Sequence, residues 1–266
     1  MKTLRPPQLR PLLATPLLLA IMLNGCAHRP PPPSGPPVFK EWLPALQERS
    51  AHWQRYQARV RLKAQSPEKQ FSLEALIVAN LPDQFRLEAF RMGQTVGVLI
   101  LNHGQASLFV PSEKVLLHAA RSEDLTNYLL GIALPAASFG YSLSASVPPD
   151  QLAGFQVVPR EQHWFGFARS AADDSSSEWQ FCAEPQAATS VRFRGGSWDC
   201  TARYEPPVAL VAAAIPEKIT FSSAQWQIET TVQELQSLEA VQESAFGDDF
   251  GSEVRRVKVA PLPVAQ

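Results

Sequence analysis

A two-residue alternation of apolar and polar side chains constrains the fold of this chain more than any other feature. Apolar residues occupy every second position in residues 71–77 and 85–89, and Trp226 and Ile228 begin another such segment. Because successive side chains of a β-strand point to opposite faces, this period predicts half-buried strands. Turn residues such as Asn102-His103-Gly104 separate the segments, which predicts an antiparallel meander of hairpins.

Helical spacing occurs at two places. Leu46 and Trp53 share one face after Pro44, a residue that suits a first helical turn, and Ser122 predicts a second helix that ends at Gly131. Further strand candidates are residues 96–101, 107–110, 163–168, 179–182, 190–194, 198–204 and 218–222. The sequence therefore predicts a mainly β (α+β) fold, an incomplete antiparallel β-barrel of about 10–11 strands covered by two or three helices.

The first 25 residues have the organisation of an export signal. Three basic residues precede an apolar run over residues 12–23, which is too short to span a bilayer and typical of a signal peptide. The run ends in Leu23-Asn24-Gly25-Cys26. This tetrapeptide resembles the lipobox of bacterial lipoproteins, although Asn24 replaces the usual small residue. It predicts cleavage before Cys26 and lipidation of that cysteine; the alternative is an ordinary secretory signal with a chance cysteine.

The predicted anchor implies a location. Acyl chains contribute roughly 0.8 kcal/mol per buried CH₂, so two or three chains on Cys26 would hold the protein durably on a membrane. Ala27 stands where bacterial lipoproteins kept at the inner membrane often carry aspartate, so the resemblance implies the outer membrane, facing the periplasm. Residues 26–37 form a proline-rich tether. We expect residues 38–266 to form one domain.

Charge and cysteine content limit the possible functions. Residues 1–25 carry three of the 24 basic residues and none of the 25 acidic ones, which leaves 21 against 25 and a formal charge of −4. This balance argues against nucleic-acid binding. Cys182 and Cys200 have 17 residues between them. In an oxidising compartment they predict a disulfide that contributes about 3 kcal/mol; a redox or metal-binding pair is the alternative.

The sequence offers no recognisable catalytic or cofactor motif. None of its five histidines has metal-ligand spacing with another ligand residue, and there is no phosphate-binding glycine loop or nucleophile elbow. We therefore expect a protein that is not an enzyme and that uses no metal and no cofactor.

The order of the segments resembles a known family. A helix ends in Trp53-Gln54-Arg55-Tyr56, residues 81–88 lead a strand into a hairpin at Met92-Gly93-Gln94, and Leu129-Leu130-Gly131-Ile132 follows the first group of strands. Over residues 45–135 this succession resembles the LolA/LolB-like lipoprotein-sorting family. Within that family it is most similar to the LolB-like outer-membrane lipoproteins. No single motif carries the resemblance.

The resemblance implies a function and a set of site residues. In that family an unclosed barrel with a helical lid holds the acyl chains of a lipoprotein in transit, received from a soluble LolA-like periplasmic carrier and released into the outer membrane. A hairpin tip aids release, and here the tip matches Phe90, Met92 and Gly93; the alternative is that Met92 points inward. The residues expected to line an acyl-chain cavity are Phe85, Leu87, Val98, Phe193, Trp226 and Ile228.

Three other functions remain open at this stage. The same fold could carry free lipid or glycolipid, which differs only in the ligand. Alternatively, the apolar strand faces could fill a packed core, and the protein would then be a structural envelope lipoprotein that holds a partner through an exposed apolar patch. A lipid-modifying enzyme is a distant fourth.

Overall fold

The computed structural model describes residues 39–160, 163–169, 175–182, 186–196 and 198–261. The predicted signal peptide, Cys26 and the proline tether lie outside these residues.

Within the described part of the chain there are four α-helices and fourteen strands. The helices are α1 (Phe39–His52), α2 (Ser122–Leu130), α3 (Ala136–Leu143) and α4 (Pro149–Leu152). The first six strands are β1 (Arg55–Gln65), β2 (Gln70–Asn80), β3 (Gln84–Arg91), β4 (Gln94–Asn102), β5 (Gln105–Val110) and β6 (Val115–Ala119). The others are β7 (Gln156–Arg160), β8 (His163–Arg169), β9 (Ser176–Cys182), β10 (Ala187–Gly195), β11 (Trp198–Ala209), β12 (Lys218–Ser222), β13 (Gln227–Ser237) and β14 (Arg255–Lys258).

These strands form one sheet in the order β14-β6-β5-β4-β3-β2-β1-β13-β12-β11-β10-β9-β8-β7. β14 runs parallel to β6, and the other neighbouring strands are antiparallel. Among the described residues β14 and β7 are the two ends of this order, so the sheet does not close. The predicted mainly β fold, an incomplete barrel with covering helices, is confirmed.

The prediction of 10–11 strands missed β6, β7 and β14, each for a local reason. β6 reads Val-Leu-Leu-His-Ala, an apolar run with no alternation. β7 contains Pro159, which lacks the N–H of a ladder donor and suits an edge strand. β14 has only four residues, three of them basic. Helix α4 is too short to show a helical period, and α3 is rich in small residues.

The alternation in the sequence becomes an inner and an outer face of the sheet. Exposed and buried residues alternate along all 11 positions of β1. The sheet curves strongly, because Phe139 of α3 reaches strands that are four steps apart in the sheet order. Its ring centroid lies 6.3 Å from that of Phe85 on β3 and 4.9 Å from that of Phe221 on β12. Helices α2 and α3 therefore pack inside the curve.

The C-terminal segment packs on the outer face instead. After β13 it passes over β3–β5, where Phe246 is buried with Val98 and Ile100. Phe250 stacks on Phe109 of β5 with ring centroids 4.2 Å apart. This second apolar cluster is separate from the inner core, and the segment then ends as the edge strand β14.

Candidate functional site

A narrow apolar slit lies between the helices and the inner face of the sheet. It is lined by Thr126, Leu130, Ile132, Leu134, Phe139, Phe221 and Ile228. Its volume is only about 10 Å³, roughly the space that one water molecule needs, whereas pockets for small molecules measure about 300–1,000 Å³. An acyl chain can enter only if the lining side chains or the helices move.

Residues 122–143, which comprise α2, a short loop and α3, form a lid with its own internal hydrogen bonds. The hydroxyl of Thr126 donates to the carbonyl of Leu134 (2.7 Å) and accepts from the Leu134 N–H (3.2 Å). The N–H of Ala136 donates to the Ser122 hydroxyl (3.0 Å). These bonds join the start of α3 to α2, so we expect the two helices to move together.

Two glycines let the lid approach the sheet closely. A Cβ atom at Gly97 of β4 would lie 2.7 Å from a methyl carbon of Leu129 on α2. A Cβ atom at Gly131 would lie 2.5 Å from the ring of Trp226, and Gly131 also has φ +80°, a conformation that favours glycine. The Trp226 ring therefore covers the C-terminus of α2 at one end of the slit.

The residues predicted to line a cavity do not all meet. Ile228 lines the slit, Phe85 contacts Phe139 beside it, and Leu87 and Phe193 are buried in the same inner core. Phe193 packs against Trp179 at the β8–β10 side, with ring centroids 6.4 Å apart. Trp226 is half-buried at the rim.

Val98 departs from this prediction. It lies on the outer face of β4, packed with Phe246, while its neighbour Leu99 faces inward. The reason is that β4 is apolar on both faces, so the sequence run Val96 to Leu101 gave no sign of which residues point inward. Val98 cannot contact a ligand in the slit.

Sequence reasoning missed most of the slit lining. Leu130, Ile132, Leu134 and Phe139 belong to the lid, where apolar residues follow one another without a clear period. Phe221 stood in a predicted strand of only five residues, too short to show which face is buried.

The β3–β4 hairpin ends in an exposed methionine. Met92 (φ 52°) and Gly93 (φ 77°) form its two-residue turn, with the positive φ angles of a type I′ turn. The Met92 side chain is 97% exposed, so it points outward, whereas Phe90 is half-buried. Because its side chain is exposed, Met92 contributes no stabilisation through burial, and its left-handed backbone conformation is unfavourable for methionine.

A buried arginine binds several backbone carbonyls at the end of the strands opposite the Met92 turn. Arg49 of α1 is completely buried, and each of its hydrogen bonds described here goes to a backbone carbonyl. Its acceptors are the carbonyl oxygens of Ala145 (3.0 Å), Ala209 (3.3 Å), Val211 (2.6 Å), Ala214 (2.8 Å) and Ser144. Two of these follow the C-terminus of α3, the negative end of that helix. Burial lowers the pKa of Arg49 to about 10.

The predicted disulfide is wrong. Cys182 pairs across the ladder with Ala187, and Cys200 pairs with Phe193. The two partners are six residues apart on β10, about 20 Å at the rise of a strand, and a disulfide requires Cα atoms within about 7 Å. Both cysteines are free. Burial raises the pKa of the Cys200 thiol to about 12.

The described residues contain neither a metal cluster nor a membrane-spanning helix. In that part of the chain no group of three or more His, Cys, Asp or Glu side chains is placed to hold a metal ion. None of its helices has the length and apolar character needed to cross a bilayer.

Comparisons with known proteins identify the fold through structure. Neither a protein-family model nor a curated protein matches this sequence. Among solved structures, a LolA superfamily protein from Nitrosomonas europaea is 11% identical with a TM-score of 0.56, and the match covers 79% of this chain and 98% of that one.

Two further structures have the same architecture. A "putative outer membrane lipoprotein-sorting protein domain" from Vibrio parahaemolyticus is 10% identical (TM-score 0.52), with 79% of this chain and 97% of that one covered. A DUF1329 family protein from Desulfovibrio piger is 6% identical (TM-score 0.54), with the same coverage of 79% and 97%. At such identities the likeness concerns the fold alone, and this chain shares the fold of these three structures.

Proposed function

We propose that this protein binds acyl chains between its helical lid and the inner face of its sheet, and that it accepts or inserts lipoproteins at the outer membrane. The observation that carries the proposal is the apolar slit beneath the lid, on a fold shared with proteins named for lipoprotein sorting. The protein would act by transferring its ligand down an affinity gradient, as a carrier and not as an enzyme. Acylated Cys26 would anchor it, facing the periplasm, where a LolA-like carrier would deliver the cargo.

Binding requires the lid to open. The contacts within the lid indicate that α2 and α3 would move together as one unit. The lid meets β12 through Phe139, which stacks on Phe221, while its polar bonds join α2 to α3. Apolar contacts between the lid and the sheet can be replaced by contacts with an acyl chain, and no polar group is then left unsatisfied. The far end of α3 is held more firmly, because the Tyr56 hydroxyl donates to the Gly140 carbonyl at 2.8 Å. Lid opening should therefore pivot near Gly140.

The Met92 turn suits contact with lipid during release. Its side chain is fully presented to solvent, and methionine is apolar and adaptable. Arg91 beside it would remain among the headgroups. We assign to Phe90, Met92 and Gly93 the role of a membrane-insertion tip.

One observation favours the structural alternative. In the closed state the slit has almost no free volume, as expected of a filled core in a protein that merely holds a partner at the envelope. The two proposals differ in whether the lid opens, so a binding experiment separates them.

The test is lipid extraction of the purified chain followed by mass spectrometry, paired with displacement of a fluorescent fatty-acyl probe. We expect stoichiometric acyl ligand or saturable probe binding, and the identity of the ligand distinguishes lipoprotein from free lipid or glycolipid. If neither bound ligand nor saturable binding were found, both carrier functions would be rejected and the structural one supported.

A matched pair of variants locates the binding site. Phe139→Leu enlarges the slit, and we expect it to change probe affinity several-fold. Phe246→Leu truncates a phenylalanine that is equally buried, but in the outer cluster, so it should cost similar stability, about 1 kcal/mol, with no change in affinity. Equal effects of the two substitutions on the probe would place the ligand outside the slit.

A further inference from the structure

The end of β11 and the connection to β12, together named the loop here, have a composition that is unusual for an exposed segment. Residues 206–216 read Pro-Pro-Val-Ala-Leu-Val-Ala-Ala-Ala-Ile-Pro, with no polar side chain, whereas surface loops are dominated by Gly, Asn, Asp, Ser and Pro. Within this loop Val211 is 61% exposed and Ile215 is 44% exposed, and Ala213 between them is exposed as well. The alternating residues Val208, Leu210 and Pro216 are buried.

Four carbonyls and two N–H groups of this loop are bonded to protein groups. Arg49 donates hydrogen bonds to the carbonyl oxygens of Ala209, Val211 and Ala214. The indole N–H of Trp53 donates to the carbonyl of Ala212 at 2.7 Å. The N–H of Leu210 donates to the Gln186 carbonyl (3.0 Å), and the N–H of Ala214 donates to the Val211 carbonyl (3.2 Å).

Bonding carbonyls within the protein lowers the cost of entering hydrocarbon, and an exposed loop in water does not need it. An exposed loop can satisfy its carbonyls with solvent, but a segment that enters lipid must satisfy them within the protein. Here the buried guanidinium of Arg49 binds three of these carbonyls, and the indole of Trp53 binds a fourth. The exposed side chains are aliphatic, without the Trp, Tyr or Arg that dominate protein–protein hot spots.

We propose that Val211, Ala213 and Ile215 form a rigid apolar tip, here named the loop tip, that inserts into the acyl-chain layer of a membrane. The loop tip lies at the opposite end of the strands from the Met92 turn, because β3 runs towards Met92 while β11, which points the other way in the sheet, runs towards Val211. One flat bilayer therefore engages one of the two tips at a time. Docking by the loop tip leaves the Met92 turn facing away from that bilayer.

The flanking charges specify what kind of membrane contact this is. Glu205 and Glu217 flank the apolar run, and Lys218 is already paired with Glu205 (3.5 Å) and Glu229 (2.9 Å). No excess of positive charge is available at these positions to attract anionic lipid. Docking should therefore depend on apolar insertion and be insensitive to salt and to anionic lipid content.

The experiment places an environment-sensitive fluorophore at the loop tip of the full chain in phosphatidylcholine vesicles. The label is attached to Val211→Cys in a Cys182→Ser background, since Cys200 is buried; the same chain without Val211→Cys reports labelling elsewhere. Leu76→Cys is the matched control, because Leu76 is also an exposed aliphatic residue (42%) but lies in the middle of β2. Lipids with spin labels on their acyl chains serve as quenchers.

We expect the label at position 211 to shift to the blue and to be quenched at least threefold more than the label at position 76, equally in low and high salt. Quenching no greater than that of the control would overturn the proposal. So would a blue shift without quenching, because it would show that protein covers the loop tip. A charged substitution, Ile215→Glu, should abolish the quenching at position 211 while leaving acyl-probe binding unchanged, because Ile215 does not line the slit.

Discussion

The two ends of the sheet each present an apolar tip, but they are built differently. The Met92 turn is local: two residues with positive φ close a hairpin between adjacent strands. The loop tip is not local, because its shape depends on Arg49 and Trp53, which lie about 160 positions earlier in the chain. A local tip can change with one residue, whereas the loop tip is held by buried side chains and responds to substitutions far from it in sequence.

The difference extends to dynamics. Arg49 donates to the Val211 carbonyl of the loop tip and to the nearby carbonyls of Ala209 and Ala214, and it also donates to the two carbonyls that follow α3. Movement of the loop tip is thus coupled to the end of the lid, while the Met92 turn has no such connection among the described hydrogen bonds. The comparison indicates that the loop tip is a rigid docking element and the Met92 turn an independent one.

Removal of Arg49 should break the comparison most strongly. Arg49→Met leaves five backbone carbonyls without their donor, so we expect a loss of about 3–5 kcal/mol in the free energy of unfolding. Hydrogen exchange should show faster exchange at the amides of Leu210 and Ala214 than at the ladder amides flanking Met92.

The control for this prediction is Arg59→Met. Arg59 is an exposed arginine on β1, and its replacement should change stability by less than about 0.5 kcal/mol. A loss below about 1 kcal/mol for Arg49→Met, or unchanged protection at Leu210, would show that the loop tip does not depend on this guanidinium.

Glycine substitution tests whether the Met92 turn depends only on its own residues. Gly93→Ala should cost about 1–2 kcal/mol, because alanine is strained at φ +77° although no atom lies within 4 Å of the added Cβ. Gly104→Ala is the matched control at the other end of β4, with φ +79° and equally open space. Chemical denaturation should give similar losses for both. A difference above about 1 kcal/mol would reveal a tertiary contact that one turn has and the other lacks.

Local features of this molecule follow well from the sequence. The two-residue alternation predicts the inner faces of β2 and β3, and Gly93 between two alternating segments is consistent with a hairpin turn. The signal is sufficient because each feature depends on neighbours only a few residues apart. The family resemblance supplies the curved sheet and its lid, which periodicity alone does not define.

Features that depend on distant contacts could not be predicted. In the sequence Arg49 is simply one polar residue on an amphipathic helix. Its role is not visible there, because its acceptors lie 95 to 165 positions away. The prediction for Val98 chose the wrong face because both faces of β4 are apolar. The cysteines suggest a bridge by number and compartment, yet the register of β9, β10 and β11 separates them.

The smallest effect on stability should come from Met92 itself, and it sharpens the functional contrast between the tips. Met92→Asn should stabilise the fold by about 0.5–1 kcal/mol, because asparagine tolerates the left-handed conformation better than methionine does. The same change removes the apolar tip, so release of bound acyl ligand into acceptor vesicles should slow several-fold. Met92→Leu keeps the apolar character and the strained backbone, and it should retain both wild-type stability and release. Thermal unfolding and a vesicle transfer assay provide the two measurements. If Met92→Asn were more stable and released ligand at the wild-type rate, the insertion role of this turn would be rejected, and the loop tip would stand as the membrane contact of the folded domain.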